Sequence, residues 1–368
     1  MTRTRLPQFA LTLVLLAMIS AVALIQVIAE TSGAAAPQLF DLFRHAPSAA
    51  GLRSYEADLE NNSWCGSRIR LAAQFAAFVA LRDLGAKALM GSDGWLFYRP
   101  GLEYLLEPCD GVAEAAAAIV AFRDALAERG IKLLVVPAPE KSSIYPERLG
   151  LFAKGLKKPL ATHTTRLIET LRKNGVECID LFSTFAGAME QPLYLAQDTH
   201  WTPGGMRLAA ETTARRLADL GWVEPGQTHY GVRPVNLLRH GDIVEMVQNP
   251  AIAERFEPEP IVCEQVVDDA AAPYHDAAES PVLVLGDSFL RVYEFDEPRA
   301  AGFVAHLARG LRMPLVSIIN DGGGSTLVRQ ELYRKPELLE GKRVVVWEFA
   351  ERDIRFGVEG WQHVPLPD

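Results

Sequence analysis

Residues 281–289 read PVLVLGDSF: a proline, four branched aliphatic residues, then Gly286-Asp287-Ser288 and an aromatic. A short, almost continuous apolar run bounded by proline and glycine is the pattern of a strand buried on both faces, as strands of a parallel sheet are. In open parallel sheets functional groups collect just past the carboxyl ends of the strands, where helix N-termini also point their free N–H groups. Ser288 stands at that point. Its plain reading is a helix N-cap, for which serine is a preferred residue. Its chemical reading is a nucleophile.

Outward from this strand the same pattern recurs. IKLLVVPAP (131–139), VECIDLF (176–182), PLVSIIN (314–320) and KRVVVWEFA (342–350) are four more apolar runs. Helical patterns separate them. Ala113–Arg129 is closed by Gly130, a stretch from about Leu160 to Lys173 is ended by Asn174-Gly175, and PGGMRLAAETTARRLADLG spans 203–221. SFLRVYEF opens a further helix, and another runs from about Ser325 to Leu339. Gly just past a helical stretch and basic residues in its last turn are stop signals. Apolar strands alternating with amphipathic helices predict a doubly wound α/β fold with five core strands. Residues 224–280, rich in proline and containing DDAAAPYHDAAES, read as an insertion with a few short strands and a loose linker. Residues 31–110 read as an irregular extension packed on the domain, with one helical stretch around Ile69–Leu84, and 111–368 as the domain proper.

The chain has 368 residues, 49% hydrophobic and 23% charged, a composition that builds a core and excludes disorder. The 338 residues past position 30 carry 35 basic and 45 acidic side chains, a net charge of −10. A nucleic-acid partner is not expected, because phosphate neutralisation needs a basic face. Residues 9–29, FALTLVLLAMISAVALIQVIA, hold no charge over 21 positions. A helix of that length, at about 1.5 Å per residue, matches a hydrocarbon core of roughly 30 Å. Arg3 and Arg5 in front of it predict a cytoplasmic N-terminus, with residues from about 31 onward exported. Residues 1–30 are then a cytoplasmic stub and membrane anchor. The rival is a cleaved signal peptide, whose apolar core is usually shorter, and whose site here, Ala34-Ala35-Ala36, is followed by an unfavourable Pro37. Cys65, Cys109, Cys178 and Cys263 are an even set in a chain expected to enter an oxidising compartment, so one or two disulfides are expected. Cys178, in an apolar strand, reads as a core residue. No zinc signature occurs.

A serine hydroxyl is a poor nucleophile without an imidazole in hydrogen-bond reach and a carboxylate to orient it. Asp198-Thr199-His200-Trp201 supplies both, in a loop before the Pro203-Gly204-Gly205 helix start. A capping aspartate, a satisfied surface histidine and a metal-binding pair are the other readings of these residues. The remaining histidines read as bland.

Together, DTHW at 198–201, GDSF at 286–289, DGWLF at 93–97, VVPAPEKSSIYPERL at 135–149 and WEF at 347–349 with Glu351 and Arg352 resemble the AlgX/AlgJ group of polysaccharide O-acetyltransferases. That group carries an SGNH-hydrolase-like domain. The resemblance implies a catalytic triad of Ser288, His200 and Asp198. It also implies an order circularly permuted from common SGNH hydrolases, which place the serine on the first strand and the Asp/His pair last. IKLLVVPAP and VECIDLF would then be the last two strands of the usual order. The oxyanion glycine would fall at Gly323 in Asn320–Gly324, and the usual asparagine of the next strand end is replaced by Glu348–Arg352. Arg352 either replaces that donor or forms a structural ion pair with Glu348. Trp201, Tyr293 and Trp95 are aromatic residues that would stack on sugar rings, unless they are simply core. Expected partners are a polysaccharide acceptor such as alginate and a membrane-bound O-acyltransferase as acetyl donor, with the chain periplasmic and held in the inner membrane. No cofactor or metal is expected. About 15 residues follow Asp353, so no added carbohydrate-binding module is expected. An acetyl esterase with the same triad and a silent polymer-binding scaffold are the alternatives.

Overall fold

The computed structural model describes residues 5–32, 48–106, 111–150, 153, 155–156, 159–160, 162–357 and 359–366. It divides into two compact units, Met1–Asp83 and Leu84–Asp368. The segment 31–110 is thus split, its last part belonging with the larger unit. The Ala34–Pro37 site lies outside the described residues.

The first unit holds the helices Arg5–Ser32, Ala49–Asn62 and Trp64–Leu81. Ser63 caps the last, its hydroxyl oxygen accepting the Gly66 N–H at 3.0 Å. The apolar run 9–29 lies within the first of these helices. Among the described residues no helix is long and apolar enough to cross a membrane, so a membrane-crossing role for that segment is a proposal.

The second unit opens with a small antiparallel pair, β1 (Ala88–Met90) and β2 (Leu96–Tyr98). Its turn places Asp93 and Gly94 at positive φ, where Asp and Gly are the favoured residues. The strands β3 (Lys132–Ala138) and β4 (Glu177–Cys178) follow, each after a helix, Gly111–Glu128 and His163–Lys173 respectively. The chain then passes through the helix Pro203–Asp219 into β5 (Gly231–Arg239) and β6 (Glu259–Val267). It closes with β7 (Val282–Gly286), β8 (Val316–Ile319) and β9 (Val344–Ala350). Five of these form one parallel sheet in the order β4-β3-β9-β7-β8. β9 is central, with all seven residues buried. Trp347 and Phe349 point to one face, where Phe122 meets Trp347 edge-on at 5.2 Å, and Glu348 between them points to the other. The carboxyl ends of β3 and β9 are level, Ala138 pairing with Ala350.

Several expectations are corrected. The insertion contains a nine-residue antiparallel ribbon, Gly231 pairing with Val267 and Arg239 with Glu259. Its acidic tail is not a loose linker. Asp276 Oδ2 accepts the Ser317 N–H at 2.7 Å and the Tyr274 hydroxyl accepts the Leu315 N–H at 3.0 Å, satisfying the outer edge of β8. SFLRVYEF makes a single turn, Ser288–Arg291, before Tyr293 takes a positive φ. The next helix is Phe303–Leu311, for which the sequence reading had no element. Cys178 and Cys263 are buried and free, which rules out the two-disulfide pairings; Cys109 and the Cys65 side chain lie outside the described set.

Candidate active site

Ser288 owes its position to the end of β7. The Asp287 side chain accepts the N–H of Phe289 at 2.9 Å and of Ala350 at 2.8 Å, while Glu348 Oε2 accepts the Asp287 N–H at 3.1 Å. Asp287 is therefore the cap, and Ser288 is the first residue of the turn. Its own N–H has no acceptor among the described residues and stands at the head of that turn.

The Asp198–His200 loop is clamped from two sides. Lys141 Nζ, buried, donates to the carbonyls of Leu195, Ala196 and Asp198 at 3.0, 3.1 and 2.6 Å. The Glu259 carboxylate accepts the N–H groups of Ala196 and Gln197 at 2.9 and 2.7 Å. The two sides of the loop bond to each other, Leu195 N–H to the His200 carbonyl and Thr202 N–H to that of Leu193. Held so, Asp198 Oδ1 accepts both the backbone N–H of His200 at 3.0 Å and its ring Nδ1–H at 2.7 Å. With Nδ1 donating, Nε2 accepts from the Ser288 hydroxyl at 2.9 Å. The contact that a spacing of two left open is made, and it aligns acid, imidazole and hydroxyl. Asp198, His200 and Ser288 are 0, 3 and 8% exposed.

Two further residues complete the cluster. Arg239 Nε donates to Asp198 Oδ2 at 2.8 Å. Asp242 receives the Thr199 N–H at 2.7 Å and the Thr199 hydroxyl, and its Oδ2 lies 3.5 Å from His200 Nδ1. Burial opposes ionisation of Asp198, but His200 and Arg239 outweigh it and hold the carboxyl well below the usual range. Burial likewise opposes protonation of His200, yet Asp198 and then Asp242 raise its pKa above the ordinary value. Sequence reasoning missed both residues. They lie on the insertion, 41 and 44 positions past Asp198, with no motif of their own.

Asp198, His200 and Asp242 present ligand atoms within 4.8 Å of one another, as a metal site would. The donor set is already engaged, however: Asp198 holds His200 and the Arg239 guanidinium, and Asp242 holds Thr199. A guanidinium on the central carboxylate disfavours a second cation there.

The serine opens on a cavity of about 360 Å³ lined by His200, Asp242, Arg291, Gly323, Arg352 and Tyr98, among others. Gly323 lies on its wall, with its N–H donated to the Asn320 carbonyl at 3.1 Å. Arg352 also lies there, but pairs with Glu140 Oε1 at 2.6 Å and not with Glu348. Trp201 and Tyr293 are corrected. Trp201 is fully buried between Phe289 and Phe303, and the Tyr293 hydroxyl donates to the Trp201 carbonyl at 3.1 Å, so neither ring offers a face to a sugar. Trp95 packs on Tyr145 at 4.8 Å. A larger groove of about 780 Å³ along β4 contains Cys178, whose thiol burial pushes up to about 12, far from a nucleophile's range.

Residues 88–351 match the SGNH hydrolase-like domain of the acetyltransferase AlgX family, a span that covers most of the chain. The chain belongs to this family. Similar relatives include a probable alginate O-acetylase AlgJ of Pseudomonas syringae pv. tomato, 25% identical over 275 residues, covering 72% of this chain and 68% of that one. A probable alginate O-acetylase AlgJ of Azotobacter vinelandii is 25% identical over 281 residues, covering 72% and 69%. Among solved structures, the O-acetyltransferase domain of Pseudomonas putida AlgJ superposes with a TM-score of 0.59 at 22% identity, over 73% of this chain and 91% of that one. That likeness establishes the SGNH hydrolase-like α/β fold. In this AlgX-type frame the Ser288 turn and the Asp198–His200 loop both fall inside the matched span.

Proposed function

We propose that the chain is an O-acetyltransferase acting on hydroxyls of an exported polysaccharide through an acetyl-Ser288 intermediate. The observation that carries this is the unbroken Asp198–His200–Ser288 chain, 2.7 and 2.9 Å long, opening on a cavity. His200 Nε2 takes the Ser288 proton as Oγ attacks the donor's acetyl carbonyl, and gives it to the leaving group as the tetrahedral intermediate collapses. The neutral imidazole then deprotonates a sugar hydroxyl, which attacks the acetyl-serine carbonyl, and returns that proton to Ser288 Oγ as the second tetrahedral intermediate collapses and the ester to serine breaks. Asp198 stabilises the imidazolium formed in both steps. The oxyanion would meet the Ser288 N–H and the Arg352 guanidinium, whose bond to Glu140 occupies one of its five N–H groups. Gly323 would supply wall shape, since its N–H is spent within its own turn.

The similarity to probable alginate O-acetylases supports alginate or a similar exopolysaccharide as acceptor. We read the strand order as circularly permuted, β7, β8 and β9 standing for the first three strands of the usual SGNH order and β3 and β4 for the last two. The segment 9–29 would anchor the chain in the inner membrane with the larger unit in the periplasm, beside a membrane-bound O-acyltransferase that supplies acetyl groups.

The test is to incubate the full chain with 4-nitrophenyl acetate and alginate oligosaccharides and to detect acetylated sugar by mass spectrometry beside Ser288→Ala. Sugar acetylation lost in Ser288→Ala is the expected result. Acetate release without acetylated sugar would make the protein an esterase, and turnover indifferent to Ser288 would overturn the triad.

A further inference from the structure

The ribbon insertion ends at the reacting centre. β5 delivers Arg239 from its last position, and the helix Asp242–Met246 begins three residues later with Asp242. Arg239 is largely covered, 16% exposed at its side chain, and lies over the Tyr293 ring at 5.5 Å. Its Nε meets the oxygen of Asp198 that His200 does not use. Asp242 approaches the same ring nitrogen as Asp198, its Oδ2 3.5 Å from His200 Nδ1 and its carboxylate fixed by two bonds from Thr199. A cation thus stands behind the acid and a second anion beside the base.

We propose that Arg239 and Asp242 are positioning residues through which the ribbon sets the orientation and basicity of the Asp198–His200 pair. This rests on the catalytic reading of that pair. Arg239 pins the outer oxygen, so Oδ1 keeps a single direction toward Nδ1–H. Its charge attracts the Asp198 anion and so weakens that anion's hold on an imidazolium proton. Asp242 acts in the opposite sense, adding attraction for the protonated ring. The remaining charged groups around the pair come from other elements. Lys141 and Glu259 flank the loop. Arg352, Asp287 and Asp353 line the cavity, and Arg291 there is paired with Asp296 and Asp321. Asp296 also lies 3.7 Å from Arg239. None of these touches His200 Nδ1, whereas Asp198 and Asp242 do.

Opposite signs make the test specific. In the full chain with labelled histidine, the His200 imidazole titration is followed by NMR, assigned by its loss in His200→Gln. Asp242→Asn should lower the midpoint by about one pH unit, the scale expected for a charge within about 4–6 Å, and Arg239→Gln, acting through Asp198, should raise it. The acid limb of the kcat/KM profile for 4-nitrophenyl acetate should move with each midpoint. Arg239→Lys keeps the charge but not the fixed bond to Oδ2, so its midpoint should stay near wild type while kcat falls about tenfold. Midpoints that stay put, or that move the same way in Asp242→Asn and Arg239→Gln, would overturn the proposal. Midpoints that shift as expected in a protein whose turnover survives Ser288→Ala would uphold the electrostatic role and overturn the catalytic reading instead.

Discussion

A Cβ at position 286 would stand 2.3 Å from Leu290 Cδ1 and 2.6 Å from Glu348 Oε2, where no side chain fits without a shift. Gly286 lets the strand end, the serine turn and the Glu348 carboxyl share one small volume. Gly286→Ala should therefore cost about 1–3 kcal/mol by overpacking and displace Ser288 from His200. Loss of Ser288-dependent turnover with a lowered denaturant midpoint is the expected pair of results; wild-type values for both would refute the argument. Burial, then the neighbouring Asp287 charge, pushes the Glu348 carboxyl well above the usual range, and its Oε2 accepts the Asp287 N–H. Glu348→Gln keeps a neutral acceptor and should change stability by less than about 1 kcal/mol. Glu348→Ala leaves a buried N–H unpaired beside a cavity and should cost about 2–4 kcal/mol. Urea unfolding of the two variants distinguishes them, and equal losses would show that charge and not the hydrogen bond matters.

Among elements, the loop from Leu193 to Trp201 depends on a partner its own sequence does not contain. Lys141, just after β3, ties three of its carbonyls, and burial lowers that amine's pKa to about 8. Lys141→Met should lower kcat at least tenfold and stability by about 2–4 kcal/mol, since three carbonyls lose one charged donor. A variant with unchanged kcat would mean that the loop holds its shape alone. Element boundaries were legible where one face is polar. Pro203–Asp219, with Thr202 as cap and a polar flank, lies within the span its sequence pattern predicts. Phe303–Leu311 went unread although its apolar residues follow a helical period: it is only nine residues long, and Phe303 through Ala308 are buried, with the polar face reduced to Arg309 and Gly310. VECIDLF is apolar enough for a strand, yet only Glu177 and Cys178 pair with β3, as Asp180 caps the helix Leu181–Ala186 instead.

Across the whole molecule, buried acids set the response to pH. Burial pushes Glu294 to about 8 and Glu351 to about 7, and burial with Asp287 pushes Asp353 to about 8. Each holds its proton more tightly folded than unfolded. The stability it contributes is complete below the unfolded value, about 4, and is lost as pH rises to 7 or 8. His200, also raised, acts in the same direction. Asp198, held low, contributes stability above about pH 4 that disappears only in stronger acid. Urea midpoints should therefore fall from pH 5 to pH 8, and Glu294→Gln should flatten that slope; a midpoint rising over this range would contradict the assignment.

The primary structure alone determined the parallel sheet, because strands covered on both faces must be apolar along most of their length, and VLVLG, LLVV and VVVW are uninterrupted apolar runs. It also determined where the serine stands and that Asp198 and His200 travel together, since both follow from local spacing. Tertiary structure decided the rest of the site. Arg239 reaches Asp198 across 41 positions, and Arg352 chooses Glu140, 212 positions away, over the nearby Glu348. Trp201 and Tyr293 turn into the core and away from the cavity. Such choices depend on which elements the chain's topology brings side by side, and residue spacing carries no record of that.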